Sequence, residues 1–448
     1  MAQAPQEIVQ TRRVGEQERL FHYLHAAGGL IATGAAHIRG PLSPELVRRA
    51  FDWLQRQHPI LKSHIRYEGY AYSNVPPFAY PIPWFDTRGT TEIPIRVVTD
   101  PDPEAWRPIL EKEGKTPIGR GKHPRVRVVL VRAHEGADLN HLITTFDHAI
   151  MDAQAGTMLN DQLFRYFANP DEMEKQAPVW NGIPPSLESG LPKKPDSGKT
   201  YQPAIRFPKT PVPNPERVGR NIDRHIGANE GEALRAAIRA HRTTMHGAIG
   251  AAFLTATREK FGLDEMTILS TVELRRMMKP PLPVSAFGCY IDILRTRHDL
   301  SDDFWAMAAD LSFKLISAIA RDQQSASIMK LATWEVYRKE TIPTLTHRRR
   351  IDGIAMTTAG EASFNGTGYG PFMLDGSTGT VSVSMFGPSI FVVSFEKDGA
   401  IDLSIGYSAD ALSLEDVNDL ADRAVAALSR AAATTVETVA IREQAPAK

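Results

Sequence analysis

The residues best suited to chemistry are His148 and Asp152, spaced as His-x-x-x-Asp in Leu142-Ile143-Thr144-Thr145-Phe146-Asp147-His148-Ala149-Ile150-Met151-Asp152-Ala153. An imidazole with a pKa near ~6.5 can take a proton at neutral pH, which suits a general base that activates a hydroxyl or an amine. The apolar residues before the pair fit a strand, and Met158, Leu159, Leu163 and Phe164 after it fit a helix. A strand, a tight loop and a helix together hold a polar side chain at the rim of a sheet, where binding and catalytic groups are displayed. The chain has 14 histidines, so this spacing taken alone favours an ordinary structural histidine.

The elements that must position the loop follow from local signals. Arg125 to Arg132 is nearly continuous valine and leucine, and His134 to Asp138 makes a turn into Leu139 to Phe146, which predicts a hairpin whose second arm delivers His148. A helix from Ala153 to about Phe167 closes the unit. Upstream, 1–12 reads as a loose arm and Leu30 to Ile38 as a strand. Ser43-Pro44-Glu45 opens a helix: Ser43 caps it, Pro44 lacks only a donor that would be unpaired there, and Glu45 suits the positive end of the dipole. Pro59 restricts His58, so that helix stops near Gln57, with Leu61 to Tyr67 extended beyond it.

Prolines crowd between Asn169 and Pro215, a composition that predicts a linker lying over the surface. The chain thus divides into 1–180, a linker at 181–215, and 216–448. The second half reads as a strand at Arg220 to Ile226, helices at Gly231 to His241 and Met245 to Phe261, and a strand from Met266 to Leu274 that ends in Arg275-Arg276. Helices are expected at Asp302 to Arg321 and Ser327 to Thr341, then strands at Val381 to Met385 and Ile390 to Phe395. Lys397-Asp398-Gly399 turns into Ile401 to Tyr407, and Ser413 with Asp416 starts a last helix. The order is mixed α/β in two halves of similar size.

Composition narrows the function classes. The 448 residues carry 52 Lys plus Arg against 52 Asp plus Glu, a balance that gives no attraction to nucleic acid or to an anionic membrane. The single cysteine, Cys289, excludes an internal disulfide and fits a reducing compartment. No apolar run reaches the ~18 residues of a membrane span and the polar start has no signal core, so the protein is read as cytoplasmic. Other motifs fail on their context. Asp196 to Thr200 lacks the leading glycine of a phosphate loop, and Ser327-Ile328-Met329-Lys330 lacks the companion motifs of penicillin-recognising enzymes. Gly366, Gly368 and Gly370 suit turns, Arg348-Arg349-Arg350 a solvated patch, and His241 with His246 has no companions for a metal.

Four separated stretches together resemble the condensation-domain and chloramphenicol-acetyltransferase-like acyltransferases, which include the plant BAHD enzymes and bacterial alcohol and polyketide acyltransferases. Gln57-His58-Pro59-Ile60-Leu61 is similar to the family's Arg-His-Pro-x-Leu segment, and Asp147 to Ala153 to its His-His-x-x-x-Asp-Gly signature. Val272-Glu273-Leu274-Arg275, with Phe287-Gly288-Cys289, resembles its strand ending in Arg and its Phe-Gly-Asn. Thr357-Thr358-Ala359-Gly360 resembles its Ser-Asn-x-Gly turn. This sequence departs from the pattern at Asp147 for the first histidine, Ala153 for the glycine and Cys289 for the asparagine. The Asp-Phe-Gly-Trp-Gly motif of the plant branch is absent, with Met385-Phe386-Gly387-Pro388 near its place. If the Asp147 and His148 side chains approach, the carboxylate favours the charged imidazole.

The resemblance implies an α/β fold of two chloramphenicol-acetyltransferase-like lobes, each a mixed sheet with helices, joined in a V with a channel between them. It implies transfer of an acyl group from a thioester, on CoA or an acyl or peptidyl carrier protein, to a hydroxyl or amine of a small-molecule acceptor. His148 would be the general base, and Asp152 would pair with Arg275 to hold the loop. The Ala153 N–H or the Thr358 hydroxyl would meet the oxyanion. No metal or permanently bound cofactor is implied; acyl-CoA or a phosphopantetheine-linked acyl group enters as co-substrate. The alternatives are a stand-alone condensation enzyme joining carrier-bound intermediates by an ester or amide bond, and a non-catalytic carrier-binding scaffold.

Overall fold

The computed structural model describes residues 10–72, 79–191, 205, 207–208, 219–320, 353–361, 369–382 and 388–444. The first half runs β1 (Thr11–Arg13), α1 (Glu16–Ala26), β2 (Ile31–Arg39), α2 (Pro44–Gln57), β3 (His64–Tyr72), β4 (Ala79–Asp86) and β5 (Ile95–Thr99). It continues with α3 (Trp106–Glu113), β6 (Val126–Arg132), β7 (Leu139–Asp147), α4 (Ala153–Ala168), α5 (Pro170–Met173) and α6 (Leu187–Gly190). The second half holds β8 (Gly219–Ile226), α7 (Ala228–Ala240), α8 (Met245–Phe261), β9 (Glu265–Glu273), β10 (Ile291–Asp299) and α9 (Phe304–Ala320). It ends with β11 (Ile354–Glu361), β12 (Met373–Val381), β13 (Ile390–Lys397), β14 (Ala400–Ser408) and α10 (Leu414–Gln444).

There are two larger sheets among the described residues, and each has its own apolar core. The first, in the order β12-β2-β7-β6-β5, packs with α2 and α4 around Val47, Phe51, Leu54, Leu142, Phe146 and Leu163. The second, β10-β9-β11-β13-β14-β8, packs with α7, α8 and α10 around Ile222, Leu234, Phe253, Ile268, Val392 and Leu428. A third, small sheet has the order β1-β4-β3. The chain is therefore a mixed α/β protein with two lobes. Burying each large side chain of these cores contributes about 1.5–3 kcal/mol. β12 belongs to the second half of the sequence but pairs along its length with β2, from Leu374↔Ile38 to Val381↔Ala32, and so ties the lobes together.

Local signals act as their physics requires. Ser43 accepts the Leu46 N–H at 3.1 Å to cap α2, which ends at Gln57. At the hairpin after β13, Asp398 and Gly399 have φ of 50° and 86°, matching the twist a two-residue turn needs. Ser413 accepts the Asp416 N–H at 3.0 Å where α10 begins.

Two segments differ from expectation. Residues 59–62 form a short 3-10 turn, and the extended chain starts only at His64. A strand runs from Met373 to Val381 where none was expected before Val381, and 383–385 of the strand expected at Val381 to Met385 lie outside the described residues. Gly376, Ser377, Thr378, Gly379 and Thr380 carry no apolar alternation, so this strand comes from pairing with β2 rather than from its own pattern. Helix α1 also gives little signal, because it buries Gln17, Glu18, Arg19, His22 and His25 alongside Phe21 and Leu24. The 192–204 part of the proline-rich stretch, most of 206–218, the helix expected at Ser327 to Thr341, Arg348 to Arg350, Gly366, Gly368 and Met385 to Gly387 lie outside the described residues.

Candidate active site

His148 follows β7 directly. Asp147 ends the strand, His148–Ile150 make a single 3-10 turn, and Asp152 caps α4 by accepting the Ala155 N–H at 2.8 Å. Two caps five residues apart leave the chain between them little freedom. His148 is 8% exposed and lines a cavity between the lobes. Its ring meets the edge of Phe21 at 5.2 Å, and its Nδ1 lies 3.5 Å from the Cys289 thiol. Among the described residues Nε2 has no hydrogen-bond partner. Burial pushes the imidazole pKa down and Asp152 and Asp147 only partly oppose this, so the ring is neutral and basic at neutral pH. Burial, followed by the charge of Asp152, also raises the Cys289 thiol well above its ordinary value, so it stays protonated.

Asp152 faces away from the imidazole and meets Arg275. Arg275 Nη1 and Nη2 donate to the two carboxylate oxygens at 2.8 and 3.1 Å, and both residues are 1% exposed. Arg275 also donates from Nε to the Ala286 carbonyl and from Nη2 to the Gly288 carbonyl, each at 3.0 Å. Asp152 accepts the Tyr290 N–H at 2.8 Å as well. The pair thus holds together the α4 cap and the segment that brings Cys289 to His148. Burial acts to lower the Arg275 pKa, but Asp152 outweighs it and the guanidinium is held more firmly charged.

Asp147, which stands where the family signature has a histidine, is fully buried in a second network. Its Oδ2 accepts from His22 Nδ1 at 2.8 Å and from Arg125 Nε and Nη2 at 3.1 and 2.8 Å. Its Oδ1 accepts the Ala149 N–H at 3.1 Å. Burial works to raise its pKa, yet electrostatic interaction with His25, Arg125 and His22 and the hydrogen bond from His22 hold it well below the ordinary carboxylate range.

The cavity has a volume of about 160 Å³ and is open to solvent. Near His148 it is lined by Ala153, Thr157 and Asn160 of α4, and across from them by Thr271 and Thr357. Along β2, β12 and β13 the cavity continues as an alley walled mainly by Ala32, Gly34 and Ala36 of β2, Gly379 of β12, and Phe391 and Phe395 of β13, with Thr33, Thr378 and Thr380 also in its lining. Lys397 and Asp402 lie at the cavity wall as well, and Lys397 Nζ donates to the Leu374 carbonyl. From Ile31, opposite Asp147, to Ile38, opposite Leu374, β2 extends roughly 23 Å.

The structure brings His148, Asp152, Arg275 and Ala153 together, but Thr358 points elsewhere. Its hydroxyl pairs with His246 Nδ1 at 3.1 Å, and His246 Nε2 meets Ser270 at 2.8 Å. Side chains alternate along a strand, so Thr357 is the residue of that pair that lines the cavity. Sequence reasoning missed Phe21, His22, Arg125 and Thr357. Only Arg125 carried a sequence signal, as a charge opening an otherwise valine-rich strand. His241 stacks on Trp305 at 4.3 Å, and among the described residues no group of three or more His, Cys, Asp or Glu could hold a metal ion. No helix among them is long and apolar enough to cross a membrane.

Residues 224–346 match the family described as phthiocerol/phthiodiolone dimycocerosyl transferase C-terminus. No curated protein matches the chain. Among solved structures, the TRI3 trichothecene 15-O-acetyltransferase from Fusarium sporotrichioides is similar with a TM-score of 0.68 at 12% identity, over 94% of this chain and 95% of that one. The condensation domain from the monacolin K polyketide synthase MokA gives 0.67 at 11% identity, over 95% and 98%. Polyketide synthase associated protein 5 from Mycobacterium tuberculosis gives 0.61 at 16% identity, over 94% and 98%. At these identities the likeness establishes the two-lobed fold.

Proposed function

We propose that this chain is an acyltransferase of the condensation-domain and chloramphenicol-acetyltransferase-like type, moving an acyl group from a thioester to a hydroxyl or amine of a small molecule with His148 as general base. The observation that carries the reading is a neutral His148 imidazole at the wall of the interlobe cavity, whose Nε2 has no hydrogen-bond partner among the described residues. Nε2 takes the acceptor's proton as its oxygen or nitrogen attacks the thioester carbonyl. The new bond gives a tetrahedral oxyanion. Its collapse breaks the carbon–sulfur bond, and the imidazolium returns the proton to the departing thiolate.

Donors for the oxyanion are available on both walls. Ala153 is the first residue of α4, whose leading N–H groups have no partner within the helix. The Thr357 hydroxyl lies opposite. The walls also favour an assignment of the two substrates. The apolar alley past Gly34 and Gly379 suits the acyl chain, and the gap bearing Thr157, Asn160, Thr271 and Thr357 suits a hydroxyl-bearing acceptor. CoA or a carrier protein would present the thioester, which fits a cytoplasmic enzyme of polyketide or peptide metabolism. The same reading takes 1–180 and 216–448 as the two lobes and 181–215 as their linker.

The test is incubation with acyl thioesters and a panel of alcohols and amines, compared with His148→Ala. Acyl product from the wild type and a loss of about 100-fold or more in the variant are expected. Equal product from both removes His148 from the mechanism, and no turnover with any CoA-bound or carrier-bound donor favours a scaffold.

A further inference from the structure

We infer that Asp147, His22 and Arg125 form a charge-balanced positioning group for His148, one that depends on the carboxylate and does not accept the histidine of the family signature at that position. The inference rests on His148 being the base of the proposed transfer. Asp147 and Ala149 flank His148 in sequence, and the Asp147 carboxylate accepts the Ala149 N–H at 3.1 Å, closing a small ring around the residue that bears the imidazole. The other carboxylate oxygen is held by His22 Nδ1 at 2.8 Å and by the Arg125 guanidinium at 2.8 and 3.1 Å. The Asp147 N–H donates to the Arg125 carbonyl at 3.1 Å, so strand pairing and side-chain pairing coincide.

Each partner is itself fixed. Arg125 donates further to the carbonyls of Gly119 at 2.9 Å and Ile118 at 3.2 Å. His22 Nε2 meets the Tyr67 hydroxyl at 2.9 Å, and protonation on Nδ1 satisfies both ring nitrogens. Phe21, the residue before His22 on α1, lies edge-on to the imidazole at 5.2 Å. Helix α1 therefore grips the loop twice, once on the ring of His148 and once on the carboxylate behind it.

One buried carboxylate faces one buried guanidinium, 0% and 3% exposed. An imidazole at position 147 would leave Arg125 without its counter-ion and His22 Nδ1 without an acceptor. A buried charge stripped of its partner is strongly destabilising. The titratable groups that act on the His148 imidazole are Asp147 on its own turn, Asp152 at the α4 cap, whose carboxylate is turned to Arg275, and the Cys289 thiol; His22, His25 and Arg125 stand behind Asp147. Because Asp147 and Arg125 carry opposite charges near the base, removing either moves its titration in a predictable direction. These are positioning residues, since none of the three touches the cavity.

The experiment measures pH profiles of kcat/KM for Asp147→Asn and Arg125→Met, with Arg125→Lys as the charge-retaining control and thermal melting as the folding control. Asp147→Asn keeps the shape but removes the negative charge, so the acid limb should move to lower pH. Arg125→Met should move it to higher pH, and Arg125→Lys should leave it in place. In Asp147→Asn kcat should fall about 10- to 100-fold with the acceptor KM within about twofold, because an amide of the same size holds Arg125 and His22 more weakly than the carboxylate and aims the imidazole less firmly, while the substrate site is intact. Asp147→His should fail to fold or to turn over. Limbs that stay put, a shift in the same direction for both charge-removing variants, or full activity of Asp147→His would overturn the inference. A wild type that turns over nothing refutes the acyltransferase reading; a wild type that needs His148 but tolerates Asp147→Asn refutes only this one.

Discussion

Arg275 and Asp152 lie 123 residues apart in sequence and meet through two parallel N–H···O contacts of 2.8 and 3.1 Å, each side chain almost fully shielded from water. Both oxygens of Asp152 are therefore already engaged by Arg275. The same carboxylate caps α4 through Ala155 and receives the Tyr290 N–H, so one side chain joins the first lobe to the second.

Replacing Arg275 with alanine should cost about 3–5 kcal/mol of folding stability, because Asp152 is left buried and unpaired. Chemical denaturation would read this as a lower midpoint. Asp152→Asn keeps the shape but loses the charge and should destabilise less than Arg275→Ala. If Arg275→Ala unfolds at the wild-type midpoint, the pair is not structural.

The pH dependence of transfer should report the depressed pKa of His148. A base must be unprotonated, so kcat/KM should rise with pH and reach half its plateau below pH 6.5. A midpoint clearly above 6.5 would mean that burial does not govern this imidazole in the free enzyme.

Acid should weaken the fold through other buried histidines. Burial holds His25, His58 and His246 at about 4. His25 Nε2 accepts the Ile118 N–H at 2.8 Å, a bond only an unprotonated nitrogen can make. Their folded pKa values lie below the unfolded value, so stability is full above about pH 6.5 and falls between 6.5 and 4, by up to about 1.4 kcal/mol per pH unit for each. Denaturation at pH 7 and pH 5 tests this, and His25→Gln should flatten the dependence.

Chain-length preference should respond to Gly379. A Cβ there would sit 3.1 Å from the Phe395 ring, so valine would push the ring and narrow the alley. Gly379→Val should lower transfer of a palmitoyl group at least about tenfold relative to acetyl, measured by competition between donors. An unchanged ratio with a raised acceptor KM would assign the alley to the acceptor instead.

Much of the first lobe was legible because its signals are local. Ser43 and Pro44 start α2, Pro59 ends it, and the valine-rich arm and its partner make the β6–β7 hairpin that presents His148. The capped turn at Asp152 is likewise written within a few residues. In these segments backbone geometry depends on neighbours in sequence, so residue type alone determines it. Arg275 was legible only through resemblance, since nothing in its own segment announces a partner so far away.

The rest was decided by packing. β12 has almost no apolar alternation and becomes a strand because β2 offers it a complementary edge. The α1 helix buries polar residues whose partners are Asp147 and Ile118, at separations of 125 and 93 residues. Which of Thr357 and Thr358 faces the cavity turns on strand register, and a shift of one residue would exchange them. His148 itself shows both sources: its loop and its basic ring type are set by the sequence, while its neutral state, its contacts with Phe21 and Cys289 and the network on the aspartate behind it exist only once α1, β6 and the Cys289 segment close around it. Burial and charge pairing belong to the assembled interior, and no short stretch of chain contains them.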